Sequence, residues 1–493
     1  MGKDAPALPR RIVAQYAMGS LGTGGFGTLP GLVLTYYLTD SLGVTALLAG
    51  VIVTAAKVWD VVIDPVIGAL TDRDLARHGS RRRLMLIGSL ALPVLFALTF
   101  AAPPSLGPTV GAVWVLIAFL LTATAFSLFQ VPYIALPAEL TDSYDARTTL
   151  LTWRVVVLTV AILLFGAGGP LLRGLTGDPT TGYLLMGIVA GVVIGLGLLI
   201  ATGSAAHAQA TRPAMSAAGL AVATEAELVA DEVDDTHDAV PDAEAEAHST
   251  GPSAHDTGPS AQDTGIAANF HAATDALRRS APFRALLGTF LLQALATGLM
   301  LAGAQYLATW VLDSEDAVTL LFVALIAPAL LAAPGWGWLA RRYGKEGTFA
   351  AASILFGIAA LSTLGVQWAP GAWVYIPVGF AGIAYAGMQS LPLAMLPDVI
   401  AHDAARHGPG RAGAFGGVWT AGETTGLALG ATVLSIVLAA TGYVSSVASA
   451  ATSQPDAAVT GIVVSFSVIP AALIALSLVT LARYRLRRAD IDV

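Results

Sequence analysis

Twelve apolar segments recur along this 493-residue chain, each long enough or nearly so to cross a bilayer, and they restrict it to one fold class. Their approximate ranges are 11–38, 44–70, 84–102, 110–137, 150–172, 182–202, 284–311, 317–339, 348–366, 371–396, 413–440 and 459–482. About 20 apolar residues in a helix span a hydrocarbon core ~30 Å thick. A helix satisfies its own backbone there, as no open strand does. The expectation is an all-α membrane protein of twelve transmembrane helices in a lipid bilayer. The composition, 55% hydrophobic and 12% charged, excludes a soluble domain of this size. With no cysteine, disulfides, thiolate catalysis and cysteine-ligated metals are excluded as well.

Basic residues set the expected topology. If the amino terminus is inside, the inner loops are 71–83, 138–149, 203–283, 340–347 and 397–412, together with both termini. Of 25 lysines and arginines, Arg173 alone then falls in an outer loop. That asymmetry predicts a multi-pass protein of the cell (plasma) membrane with both termini cytoplasmic. The segment Met1–Arg11 lacks a small-residue cleavage site after a short apolar core and is expected not to be a cleaved signal. The net charge of −8 belongs to one loop: residues 203–277 hold 13 acids and the single base Arg212. This loop repeats a heptad, Thr250–Asp256 and Thr257–Asp263, and has too little apolar surface to fold. It reads as a disordered cytoplasmic linker closed by a short interfacial amphipathic helix from Asn269 to Pro282. The expected division is therefore 1–202, six helices; 203–282, linker; 283–482, six helices; and 483–493, a cytoplasmic tail. A monomer with no nucleic-acid partner is expected.

Three ionisable residues interrupt the second segment. Lys57, Asp60 and Asp64 are spaced i, i+3, i+7, within a ~60° arc of a helix, so they share one face. Each costs about 2.5–3.5 kcal/mol to insert on translocation scales. Such a face looks into protein or a water-filled cavity. Two carboxylates one turn apart, with Thr54 and Gln130 as neutral oxygen ligands, suit reversible uptake of a proton or a monovalent cation. A permanent charge network with Lys57 and Arg154 is the structural alternative. Arg154 lies near one end of the fifth segment, as a counter-ion for the acids or as a snorkelling cation. Glu423, in the eleventh segment, fits a second proton carrier, a site for a cationic substrate, or a partner for Lys57. Within the membrane, Asp60, Asp64 and Glu423 outnumber Lys57 and Arg154 by one negative charge, which one bound monovalent cation neutralises.

The two halves repeat each other. Pro132–Glu139 echoes Pro392–Asp398 at an offset of 260, and Gly68–Arg73 echoes Gly337–Arg342 at 269. A duplicated six-helix unit joined by a cytoplasmic linker is the layout of a rocker-type carrier.

Gly68–Arg83, with Asp72, Arg73 and Arg81-Arg82-Arg83, resembles the loop 2–3 signature of the major facilitator superfamily. Trp59-Asp60-x3-Asp64-Pro65-x2-Gly68 is similar to the helix 2 signature of the glycoside–pentoside–hexuronide:cation symporters, the melibiose permease family. Tyr37-x-Thr39-Asp40, Val131-Pro132-Tyr133, Arg154, Met395–Asp398, Arg411-x2-Ala414-Phe415 and Gly442-Tyr443 extend the resemblance over both halves.

The resemblance implies a 6+6 pseudo-symmetric major facilitator fold and an ion-coupled transporter, not an enzyme, with H+ or Na+ as coupling ion and a small-molecule solute. No cofactor or metal is implied. It places cation or proton coupling at Asp60, Asp64 and Gln130, the last standing where the family has an acid. The expected substrate cavity comprises Lys57, Gly24, Tyr133, Ile134, Arg154, Trp419, Glu423 and Thr424. Gly24 and Thr424 replace an acid and a lysine of the family pattern, and Ile134 an aromatic. Asp72, Arg73, Arg81, Glu139, Asp142, Arg147, Asp398 and Arg411 are expected to form a cytoplasmic gate. Loss of the sugar-gripping groups keeps other solutes open, either a less polar compound or an amphipathic lipid-like one exported against protons. A non-transporting receptor on the same fold is the alternative of another class.

Overall fold

The computed structural model describes residues 8–141, 144–234, 277–407, 412–447, 453–484 and 486. We number the long helices α1 (Arg10–Tyr36), α2 (Ala46–His78), α3 (Arg82–Thr99), α4 (Gly107–Ala135), α5 (Tyr144–Gly174) and α6 (Pro179–Asp234). The second set is α7 (Ala281–Trp310), α8 (Ala317–Tyr343), α9 (Lys345–Ser362), α10 (Tyr375–His407), α11 (Ala412–Ala440), α12 (Asp456–Phe466) and α13 (Val468–Leu481). The last two form one span broken at Ser467. Among the described residues eleven stretches are long and apolar enough to cross a membrane, with α12 and α13 counted as one. The glycine-rich α1 is the twelfth span expected from the sequence. Among the described residues the nearest thing to a strand pairing is one isolated bridge, Leu42 to Val447.

Packing repeats between the halves. α1 packs on α5 and α6 as α7 packs on α11 and the α12–α13 span. The α2–α4, α3–α4 and α3–α6 contacts recur as α8–α10, α9–α10 and α9–α13. Across the interface α2 meets α11, α5 meets α8, and α1 meets α7. These pairings are those a two-fold axis between the halves requires. Glycines permit the closest approaches: a Cβ on Gly24 would stand 2.6 Å from Ala161 Cβ of α5, and one on Gly426 would stand 2.6 Å from Ala294 Cβ of α7.

The linker boundary differs from expectation. Helix α6 continues past residue 202 to Asp234, so residues 203–234 are helical and not a disordered start of the linker. Alanine dominates there, and alanine is the best helix former. The heptad copies and most of the expected interfacial helix lie outside the described residues. Its last turn, Leu277–Arg279, is helical, and Arg284 Nη1 donates to the carbonyls of Leu277 (2.7 Å) and Arg278 (2.6 Å).

Candidate cation and solute site

The shared face expected of α2 is present, but its two acids are not equivalent. Lys57 Nζ reaches Asp60 Oδ2 at 3.1 Å and sits 5.8 Å from the centroid of the Phe26 ring on α1. One turn on, Asp64 is partly buried beside Ser127 of α4, and its Oδ1 is buried with no hydrogen-bond donor. Asp60 is thus paired, whereas Asp64 keeps an open oxygen in a low-dielectric site. A buried acceptor without a donor is costly. A donor hydrogen or a cation at that oxygen would remove the cost.

Gln130 is placed close to α1 and not wholly at the acids' disposal. Its Oε1 accepts from Thr23 Oγ1 at 2.9 Å. Ser127, one turn earlier on α4, is the neutral group beside Asp64, and sequence reading missed it. Thr54 is also committed: its hydroxyl donates to Gly50 O at 2.7 Å and bonds Thr432 Oγ1 of α11, linking the halves.

Several expected cavity residues are packing residues. Tyr133 is fully buried, stacked on Tyr16 at 4.6 Å, and donates to Tyr16 O at 2.8 Å, so it does not face a cavity. Gly24 faces α5 for the steric reason given above. Trp419 is buried and stacks on Phe290 of α7 at 4.3 Å. Arg154 lies with its guanidinium carbon 5.5 Å from the Tyr133 ring centroid. Among the described ion pairs none joins Arg154 to Asp64. Ile134 is half exposed, one turn beyond Gln130. Glu423 and Thr424 are partly buried on α11. Because Lys57 is held by Asp60, the Lys57–Glu423 pairing does not occur here.

The two ends of the bundle differ. At the end away from the termini, side chains of both halves interlock. Tyr443 Oη donates to Asp40 (2.7 and 2.9 Å), Thr39 and Tyr306 share a hydrogen bond of 2.7 Å, and Ser446 N donates to Thr39 O at 3.0 Å. Arg173, buried among Tyr36 and Tyr183, pairs with Glu315 at 2.9 Å. None of these was expected as a site. Arg173, the lone basic residue of the outer loops, was the available signal.

At the terminal end the described ion pairs stay within a half. Arg81 bonds Asp72 (2.9 Å) and Glu139 (2.5 Å), and Lys345 bonds Asp398 (2.5 Å). Lys345 and Asp398 follow Arg81 and Glu139 at offsets of 264 and 259, the repeat already visible in the sequence. Of the expected gate, Arg73 is exposed and outside these pairs. Arg147 lies in α5, and Asp142 and Arg411 fall outside the described residues.

The family described as MFS/sugar transport protein matches residues 15–224 and 253–488. The putative glycoside/cation symporter YagG of Escherichia coli is 28% identical over 34% of this chain and 37% of its own length, so that match spans well under half of the relative. An uncharacterized symporter of Synechocystis, sll1374, is 25% identical over 96% of this chain and 94% of its own length. The sodium-dependent lysophosphatidylcholine symporter 1 of Mus musculus is 23% identical over 85% and 76%. In fold, the chain is similar to the crystal structure of a D-xylose-proton symporter, with a TM-score of 0.62 at 14% identity over 97% of this chain and 98% of that one. The duplicated six-helix packing and the match over both halves lead to one assignment: this chain belongs to the MFS/sugar transport protein family.

Proposed function

We propose that the protein is an ion-coupled secondary transporter working by alternating access, moving a small polar solute of the glycoside class with H+ or Na+. The observation that carries this reading is Asp64, a partly buried carboxylate with an open oxygen next to the closed Lys57–Asp60 pair. A monovalent cation neutralises Asp64 and removes the cost of the unmatched acceptor. The glycoside class is supported by the family description and by the name of the Escherichia coli relative. We place the chain in the plasma membrane as a monomer with cytoplasmic termini, following the basic loops. In that orientation the interlocked end is the outer end.

Coupling requires the loaded and empty carriers to move and the half-loaded one to be held back, so the cation site must bias the exchange between outward and inward states. Reconstituted into vesicles, the wild-type protein is expected to accumulate a glycoside when a sodium or proton gradient is imposed. Asp64→Asn is expected to lose at least about 100-fold of that accumulation while still binding, since a fixed neutral group breaks coupling. Accumulation by Asp64→Asn at the wild-type level would sink the assignment of Asp64. Sodium-dependent stabilisation of the purified protein by lysophosphatidylcholine, and by no glycoside, would replace the solute class.

A further inference from the structure

Helix α8 ends on two cations that no acid answers. Its last residues read Trp338-Leu-Ala-Arg341-Arg342-Tyr343, and both arginines are exposed. Among the described ion pairs none engages Arg341 or Arg342. The guanidinium carbon of Arg342 lies 5.8 Å from the Trp338 ring centroid and 5.7 Å from that of Tyr343. Those are cation–π distances, and both rings are themselves exposed.

The fold does not require this arrangement, because the other half lacks it. At the repeat offset of 269, Trp338, Arg341, Arg342 and Tyr343 correspond to Ala69, Asp72, Arg73 and Asp74 of α2. There the two acids are matched inside the protein. Asp72 pairs with Arg81 at 2.9 Å, and Asp74 Oδ1 stands 2.8 Å from His78 Nδ1. The second half keeps the arginine common to both repeats, replaces both acids and adds two aromatics.

The stripe that carries these residues faces lipid. At 100° per residue Leu320, Leu331, Trp338 and Arg342 fall within a ~40° arc, and Leu331 is 84% exposed. The other side of α8 is packed. A Cβ at Gly166 of α5 would run into Phe322, and Trp336 Nε1 donates to Ile383 O of α10 at 2.7 Å. Leu320 is exposed although it lies at the interlocked end, so the stripe does not line a central opening. From Leu320 and Leu331 through Trp338 to Arg342 it passes from aliphatic to aromatic to cationic, the order of hydrocarbon, interface and headgroup in a bilayer leaflet. An arginine fork matches phosphate oxygens in pairs. A zwitterionic lipid brings its own cation to compete for that phosphate, and an anionic one does not.

We propose that Trp338, Arg341, Arg342 and Tyr343 form a binding site for the phosphate headgroup of an anionic phospholipid, whose acyl chain lies along the Leu331 stripe of α8.

The test titrates the purified full chain in detergent with phosphatidylglycerol or with phosphatidylcholine of the same acyl chains. The readout is thermal stabilisation, which reports binding by mass action. Phosphatidylglycerol is expected to half-saturate wild type at a mole fraction at least about tenfold lower than phosphatidylcholine, as two basic residues at an anionic surface imply. Arg342→Gln is expected to cut that preference about fivefold, and the double variant Arg341→Gln/Arg342→Gln to erase it. Arg73→Gln removes the same charge from the equivalent place in the first half and is expected to keep the preference. Equal saturation of wild type by the two lipids overturns the proposal. So does a preference that survives the double variant, or one that Arg73→Gln lowers as much as Arg342→Gln does. Inorganic phosphate is expected not to stabilise the protein, and stabilisation by it that needs the two arginines would overturn a lipid as the occupant. Transport does not enter the readout, so failure here leaves the transporter reading standing.

Discussion

Lys57 and Asp64 show how far a residue's neighbours can be read from spacing. The interval of three predicted that Lys57 and Asp60 meet on one face, and they do at 3.1 Å. Spacing along α2 does not report Ser127, which stands beside Asp64 only because α4 packs against α2. Tyr133 and Gly24 occupy positions that the motif resemblance leads us to expect in the cavity, yet both are packed between helices. A position in a motif carries no direction, whereas a tyrosine stacked on Tyr16 has one. The same difference yields a prediction. Gly24→Val forces branched carbons against α5 and is expected to destabilise the folded protein by about 1–3 kcal/mol, the cost of overpacking. A thermal melt checks this, and solute affinity in the folded fraction should be unchanged. An affinity loss without a stability loss would return Gly24 to the cavity.

Helix ends show where an element obeys local chemistry. Asp178 caps α6, its Oδ2 accepting from Thr181 N (2.8 Å), Thr180 Oγ1 (2.6 Å) and Thr181 Oγ1 (2.7 Å). Those donors hold its carboxyl down at about 2, below the usual carboxylate range. A depressed value means the cap stabilises the fold above the unfolded carboxylate's range and is lost as pH falls through about 2. Asp178→Ala is expected to lower the melting temperature at neutral pH, with the difference from wild type shrinking as the solution becomes strongly acidic. A constant difference across that range would show that the cap is not the cause. At the terminal end, Arg81–Glu139 and Lys345–Asp398 are the same device in each repeat. A double-mutant cycle on Lys345 and Asp398 is expected to give a coupling of about 0.5–1 kcal/mol, as for a partly exposed pair. A coupling near zero would mark the pair as incidental.

For the whole molecule, the question is which end is closed. The interlock of Asp40 with Tyr443, Thr39 with Tyr306 and Arg173 with Glu315 joins opposite halves. The Arg81 and Lys345 pairs each tie helices of one half. Loosening the interlock is expected to favour opening at that end. Tyr443→Phe removes hydrogen bonds to a carboxyl group, worth about 1–3 kcal/mol. That is a shift of about fivefold or more between the two states. The chain has no cysteine, so single cysteines placed on the loops near Glu315 and Ser446 offer a clean labelling assay. Faster labelling in Tyr443→Phe is the expected result, and unchanged labelling would show that other contacts hold the end shut.

The sequence by itself determined the spans, their count, the repeat and the charged face of α2. These follow from hydrophobic length, helical period and duplication, which are local or one-dimensional properties. Alanine-rich residues 203–234 were the local exception, where charge and polarity outweighed helix propensity in the reading. Only the tertiary structure decided which carboxylate is paired and which is open, that Tyr133 and Gly24 are core, and that Asp40 meets Tyr443. Each of those depends on how helices distant in sequence rotate and pack against one another. Insertion into a bilayer constrains each helix singly; its rotation is set by close contact with its neighbours.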